Sequence, residues 1–175
     1  RSNDQNIYNI PKTVSVKITN KLNINNNLIY ITIPNIKIDI PVCIIFRLLG
    51  CIDDKEILYL ILDNSNDEMD EKIKNVFIPS LNHMRDVSTQ KDAYDYLSKF
   101  ISFYSDKQNN SENKYKYIKN NILKYYLPHI SNSESKIKFT GYMINVLIKS
   151  YLKFNKTTDR DSYENKRIET CGVLI

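Results

Sequence analysis

The sequence predicts an α+β domain that is mainly helical, an N-terminal β-hairpin followed by about six helices. Three observations carry that expectation. Apolar residues alternate with polar ones near the start, they recur at helical spacing from residue 42 onward, and Pro, Gly, Ser and Asp punctuate the gaps. Val14, Val16 and Ile18 alternate with Ser15, Lys17 and Thr19, the period of a half-buried strand. Leu28 to Ile33 forms a second strand, and Asn25-Asn26-Asn27 suits the tight turn between them. Pro34, lacking an N–H, closes the ladder.

The helices follow in order. Pro41 fits a first helical turn, Val42 to Leu49 continues it, and Gly50 caps it; β-branched content alone would also permit a strand here. Asp53 reads as an N-cap, with Glu56 three residues on, before Ile57, Leu58, Leu60 and Ile61. Asp67 to Phe77 starts acidic and carries Lys72 and Lys74 later, in keeping with a helix dipole, and Pro79 is expected to end it. Ser88 is expected to cap the next helix, striped by Tyr94, Leu97, Ile101 and Tyr104. Ser105 to Asn113 is wholly polar and reads as a surface loop. Tyr115 to Tyr126 reads as a basic, tyrosine-rich helix with Ile118, Ile122, Leu123 and Tyr126 on one face, terminated by Pro128. A loop over Ser131–Ser135 precedes the longest helix, marked by Ile137, Gly141, Ile144, Ile148 and Tyr151. Gly141 in its middle costs about 1 kcal/mol relative to Ala, a cost that close approach of a neighbouring backbone would justify.

Composition bounds the class. The 175 residues are 42% hydrophobic and 26% charged, ordinary for one folded domain with a sizeable core. The net charge of +5 is uneven: residues 1–106 hold 12 basic and 14 acidic groups, residues 107–175 hold 13 and 6. A basic half is an electrostatic footprint suited to nucleic acid, and equally a solvated lysine-rich face. Cys43, Cys51 and Cys171 form no CxxC pair, and an odd count points to a reducing compartment. Neither His83 nor His129 has a metal-ligand companion at suitable spacing. No apolar run is long enough for a membrane span, and the polar start, Arg1 to Asn9, is no signal peptide.

Four places hold residues able to do chemistry. Arg47 lies inside an apolar run, so its guanidinium needs buried partners; Asp39 and Asp53 are the nearby candidates. Lys114, Lys116 and Lys119, with Lys124 and Tyr115, Tyr117 and Tyr125, suit phosphate contact and base stacking; the same pattern also suits a helix that buries its tyrosines and solvates its lysines. Asp159 and Asp161 form a D-x-D pair that can hold a divalent cation, although Arg160, Lys166 and Arg167 beside them favour internal ion pairing. An Asn155-Lys156-Thr157 sequon adds nothing to an intracellular reading. No Gly-rich phosphate loop or serine–histidine signature is present.

Three blocks, in order, resemble one family. The first is Ile33-Pro34-Asn35-Ile36, Asp39-Ile40-Pro41-Val42 and Ile45-Phe46-Arg47-Leu48-Leu49-Gly50. The second is Leu127-Pro128-His129-Ile130 with Gly141-Tyr142-Met143-Ile144-Asn145 and Leu147. The third is Asp159-Arg160-Asp161, Lys166-Arg167, Gly172 and Leu174, with Thr158 and Glu169 standing where the family usually has Asp. Together they resemble the lobe region of the second-largest subunit of multisubunit DNA-directed RNA polymerase, called β in bacteria. The second block is similar to the eukaryotic, archaeal or large-DNA-virus type.

The resemblance implies that residues 1–175 are a lobe domain cut from a much longer chain. Within it, 1–35 would form the hairpin part, 36–157 the helical part and 158–175 a return segment towards the DNA cleft. It implies a segment of a nucleotidyltransferase that is itself non-catalytic, with no cofactor of its own and Mg²⁺ held by another subunit. Asp161, Lys166 and Arg167 would face DNA on the cleft side, while Arg47, Asp159, Arg160 and Gly172 would serve structure. Expected partners are DNA, the largest polymerase subunit, a small zinc-ribbon subunit and an initiation factor; no membrane is involved. The location would be intracellular: the nucleus, or cytoplasm and viral particle for a large-DNA-virus enzyme. Two other classes remain open, a free-standing helical interaction module and a small metal-dependent nucleic-acid enzyme built on Asp159 and Asp161.

Overall fold

In the computed structural model, residues 13–20, 27–34, 36, 38–62, 67–100, 111–123, 125–154 and 162–165 are described. They form a three-stranded antiparallel sheet followed by helices. Strand β1 (Ser15–Asn20) pairs with β2 (Asn27–Thr32), setting Val16 opposite Ile31 and Ile18 opposite Ile29. The expected hairpin strands are present, and their connecting turn lies outside the described residues. A short third strand, β3 (Asp39–Pro41), was not expected; it pairs with β2 and sets Ile40 opposite Ile31. With partners on both edges, β2 is buried from Leu28 through Ile31, which is why it reads as a continuous apolar run. Lys17 and Asp39 close across it at 2.6 Å, and Thr32 Oγ1 donates to Asp39 Oδ1 at 3.0 Å.

Helix α1 (Val42–Leu49) begins directly from β3, with Pro41 at its N-cap position. Every residue from Val42 to Leu48 is buried, so this helix is the centre of the core, with other elements packed around it. Gly50, at φ 108°, supplies the left-handed turn that ends it; its N–H and that of Cys51 reach the carbonyls of Arg47 and Phe46 at 3.1 and 2.9 Å. Helix α2 (Asp54–Ile61) is capped by Asp53 as expected, through the Lys55 N–H at 3.0 Å.

Helix α3 (Asp67–His83) departs from expectation, because Pro79 lies inside it. A proline there forfeits one helical hydrogen bond and costs about 3 kcal/mol. Tertiary contacts beyond Pro79 offset that loss. Ser80 and Leu81 are buried, the Ile29 N–H donates to Ser80 Oγ at 3.0 Å, and the Cys43 thiol donates to the Ser80 carbonyl at 3.4 Å. The last turn therefore ties β2 and α1 together. Lys72 and Lys74 accordingly lie mid-helix rather than at its end.

Helix α4 (Gln90–Ser98) is capped by Thr89, not by Ser88. Thr89 Oγ1 accepts from the Asp92 N–H at 3.2 Å, and Asp92 Oδ2 accepts from the Thr89 N–H at 3.0 Å. Three residues after Ser88 stands Lys91, a cation that cannot return such a bond. Helix α5 (Ser111–Tyr117) starts inside the stretch expected to be loop, and runs into a π-helical segment, Ile118–Leu123, rather than a regular helix to Tyr126. Leu127, at φ 49°, turns the chain ahead of Pro128. Helix α6 (Ser133–Tyr151) also starts early, capped by Asn132 through the Glu134 N–H at 3.2 Å. A short 3-10 turn, Tyr163–Asn165, is the last described element.

Candidate nucleic-acid interface

The basic segment is positioned from below by buried side chains. Ile118 and Tyr126 are fully buried. The Tyr126 hydroxyl lies 2.8 Å from Thr140 Oγ1 on α6, and that oxygen in turn donates to the Lys136 carbonyl at 2.7 Å. Thr140 thus accepts from Tyr126. Burial pushes the Tyr126 phenol well above its ordinary range, so it stays a neutral donor. Tyr115 is half-buried, its ring 5.2 Å from that of Tyr94 and its hydroxyl donating to Asp95 at 2.8 Å. Tyr117 and Tyr125 are half-buried as well.

This anchoring divides the three lysines. Lys114 precedes the buried Ile118 by one helical turn and is half-buried. Lys116 and Lys119, three residues apart, are exposed and share the outward face. They present two ammonium groups to solvent on a segment held from its inner side by Ile118 and Tyr126, an arrangement suited to phosphate contact without base reading.

Beneath Lys119 a cavity of about 280 Å³ opens between α4, the π-helical segment and the start of α6. Gln90, Tyr94, Lys119, Ser131, Ser133 and Lys136 line it. Sequence reading passed over Lys136. Its side chain is buried, with Nζ donating to the carbonyls of Leu123 at 2.8 Å and Tyr126 at 2.7 Å, where the π-helical segment ends. Desolvation lowers its proton affinity below that of an ordinary lysine. A lysine three residues into a helix reads as a solvated surface group, so nothing local marks it.

Arg47 is buried, as an arginine seeking partners in an apolar run requires, but neither Asp39 nor Asp53 is its partner. One guanidinium nitrogen donates to the Met84 carbonyl at 2.7 Å and the other to Asp54 Oδ1 at 3.1 Å. Asp53 is occupied as a cap and Asp39 by Lys17. Arg47 therefore joins the ends of α1, α2 and α3, a structural position. Cys43 and Cys51 are free, buried thiols. Among the described residues no cluster of His, Cys, Asp and Glu is arranged to hold a metal ion, and no helix is long and apolar enough to cross a membrane. Asp159, Arg160, Asp161, Lys166, Arg167, Gly172 and Cys171 lie outside the described residues, as do Ile101, Tyr104 and Lys124.

Comparison with known proteins adds the family. The model described as RNA polymerase Rpb2, domain 2, matches residues 1–169. DNA-directed RNA polymerase II subunit RPB2 of Eremothecium gossypii is 34% identical over 168 residues, covering 93% of this chain and 13% of that protein. Subunit Rpo2 of Saccharolobus solfataricus is 26% identical over 172 residues, 96% of this chain and 14% of the relative. RPB2 of Encephalitozoon cuniculi is 31% identical over 169 residues, 94% and 14%. The chain spans about an eighth to a seventh of the length of these relatives.

Proposed function

The chain belongs to the RNA polymerase Rpb2, domain 2, family, and from that premise we propose that it is the lobe of the second-largest subunit of a DNA-directed RNA polymerase. The match over residues 1–169 carries this reading. In it, the parent enzyme makes RNA on a DNA template with Mg²⁺ held by another subunit, and this segment is a non-catalytic wall of the DNA cleft. Lys116 and Lys119 meet backbone phosphates through the exposed face they share, with Lys114 beside them. Asp161, Lys166 and Arg167 contact the non-template strand on the cleft side. The largest subunit, a small zinc-ribbon subunit and an initiation factor are its protein partners, and the enzyme works inside the cell or viral particle.

What supports the contacts is physical. The basic groups concentrate in residues 107–175, and the two exposed lysines stand on a packed, hydrogen-bonded support. Such contacts hold DNA in position and carry no sequence preference.

Native purification with an antibody raised against this chain tests the reading. The expected result is a polypeptide several times longer than this chain, co-purifying with a still larger subunit and with template-dependent RNA synthesis. A free chain of 20.6 kDa without such companions would overturn it in favour of an independent helical module.

A further inference from the structure

We propose that the cavity bounded by Lys119, Lys136, Ser131, Ser133 and Gln90 is a phosphate-binding pocket, and that its ligand is a backbone phosphate of the DNA held by the polymerase. The proposal rests on the cleft-wall reading above and adds a site to it. Among the described residues, two cationic side chains from different elements line the cavity together with Leu48, Leu49 and Leu123, and no carboxylate does. Its volume, about 280 Å³, lies just below the roughly 300–1,000 Å³ typical of small-molecule pockets. It is large enough to admit a tetrahedral anionic group.

The pocket is built rather than incidental. Lys136 is only 7% exposed, and its ammonium is held by two carbonyl oxygens, at 2.7 and 2.8 Å. An ammonium has three N–H donors, so one remains for the cavity that the side chain lines. Its charge is under-solvated where it sits, and an anion would restore what burial removed. The hydroxyls of Ser131 and Ser133 and the Gln90 amide supply neutral polar groups around the same space. Gln90 is fixed in place by its own bond to the Leu48 carbonyl at 3.1 Å. The 19-residue α6 begins at Ser133, so the positive end of its dipole adds to the field. Glu134, in the same first turn, is exposed and does not line the cavity.

DNA is favoured over an acidic protein segment by the rim. Lys119 belongs to the pocket and to the exposed face it shares with Lys116, so a phosphate chain crossing that face meets both. The half-buried Tyr94, packed against Tyr115, gives the wall an aromatic side of the kind single strands lie along.

The test uses the assembled polymerase and DNA carrying a photoreactive azidophenacyl group at one backbone phosphate per probe, moved stepwise along the template and non-template strands. Crosslinked peptides are then mapped by mass. One register is expected to label the peptides spanning residues 119–136, with labelling reduced several-fold in Lys119→Gln and Ser133→Ala and unchanged elsewhere on the chain. Lys136→Met is a third variant, read only where the polymerase assembles. Labels elsewhere on this chain but never in that span would overturn the pocket and leave the cleft-wall reading intact. No label anywhere on the chain would overturn both. Carbodiimide coupling of Lys119 to a carboxylate of another subunit, without DNA labelling, would overturn the proposal in favour of an acidic protein segment.

Discussion

Gly141 of α6 faces the backbone of Leu60 on α2 so closely that a Cβ added at Gly141 would stand 2.6 Å from the Leu60 carbonyl oxygen. Real Cβ atoms do not approach oxygen that closely, and the obstacle is backbone rather than a side chain able to swing away. The Asn145 side chain, one turn along α6, donates to the Ile61 carbonyl at 2.6 Å, so the two helices are also pinned at this crossing. Gly141→Ala therefore loses stability although alanine is the better helix former by about 1 kcal/mol. The expected net loss is about 1–3 kcal/mol, the range for overpacking, read as a lower urea midpoint with the slope unchanged.

Arg47 and Asp54 form an unequal pair, with side chains 3% and 53% exposed. Removing Asp54 leaves Arg47 its Met84 carbonyl and partial access to water through the vacated position. Asp54→Ala should cost about 1–3 kcal/mol, because it leaves one nitrogen of a buried guanidinium without its acceptor. Arg47→Ala removes a buried side chain that joins three helices, and should cost about 3 kcal/mol or more. Equal losses in the two variants, measured by chemical denaturation, would contradict this division.

The Cys43 thiol is pushed up to about 12 by burial, from an ordinary value of 9.0. Between those values the unfolded chain gives up a proton that the folded chain keeps, so stability must fall as pH rises from 9 towards 12. Cys43→Ala should flatten part of that alkaline decline, seen as a smaller drop in Tm between pH 9 and pH 11. At pH 8 the native thiol should react with a disulfide reagent far more slowly than the unfolded chain does.

Thr89 and Asp92 cap α4 reciprocally, and the Thr89 hydroxyl and backbone N–H hold the Asp92 carboxyl below the usual carboxylate range. A lowered acid contributes stability that is complete above its unfolded pKa of 3.8 and is lost as pH falls through the folded value. Thr89→Ala should cost about 1 kcal/mol at neutral pH, whereas Ser88→Ala should be nearly neutral. If Ser88 proved the costlier site, the cap would be misassigned.

Much of this was legible locally. Gly50 as a terminator, Asp53 as a cap and the alternation at Val16 and Ile18 each follow from one residue's backbone or side-chain chemistry. The expected Ser88 cap fails, although the signal for Thr89 stands in the sequence: Asp92 three residues later is the acceptor its backbone needs, while Lys91 after Ser88 is not. Local rules make Pro79 a helix breaker, and that expectation fails, because Ser80 just beyond it is held by Cys43 and Ile29, 37 and 51 residues away in the chain. Lys136 could not be found at all, because its role depends on carbonyls that the fold brings to it.

By itself the sequence determined the class of the domain, the presence and order of its main elements, and the family to which the chain belongs, because periodicity, caps and motif blocks are written in neighbouring residues. Only the tertiary structure decided that Asp54 and the Met84 carbonyl, not Asp39 or Asp53, receive Arg47, that a third strand buries β2, and that Lys119 and Lys136 share one cavity. The physical reason is the same in each case. Buried charges and unpaired backbone groups take whichever partners the packed core leaves within hydrogen-bond reach, and that choice is made by distance in space rather than along the chain.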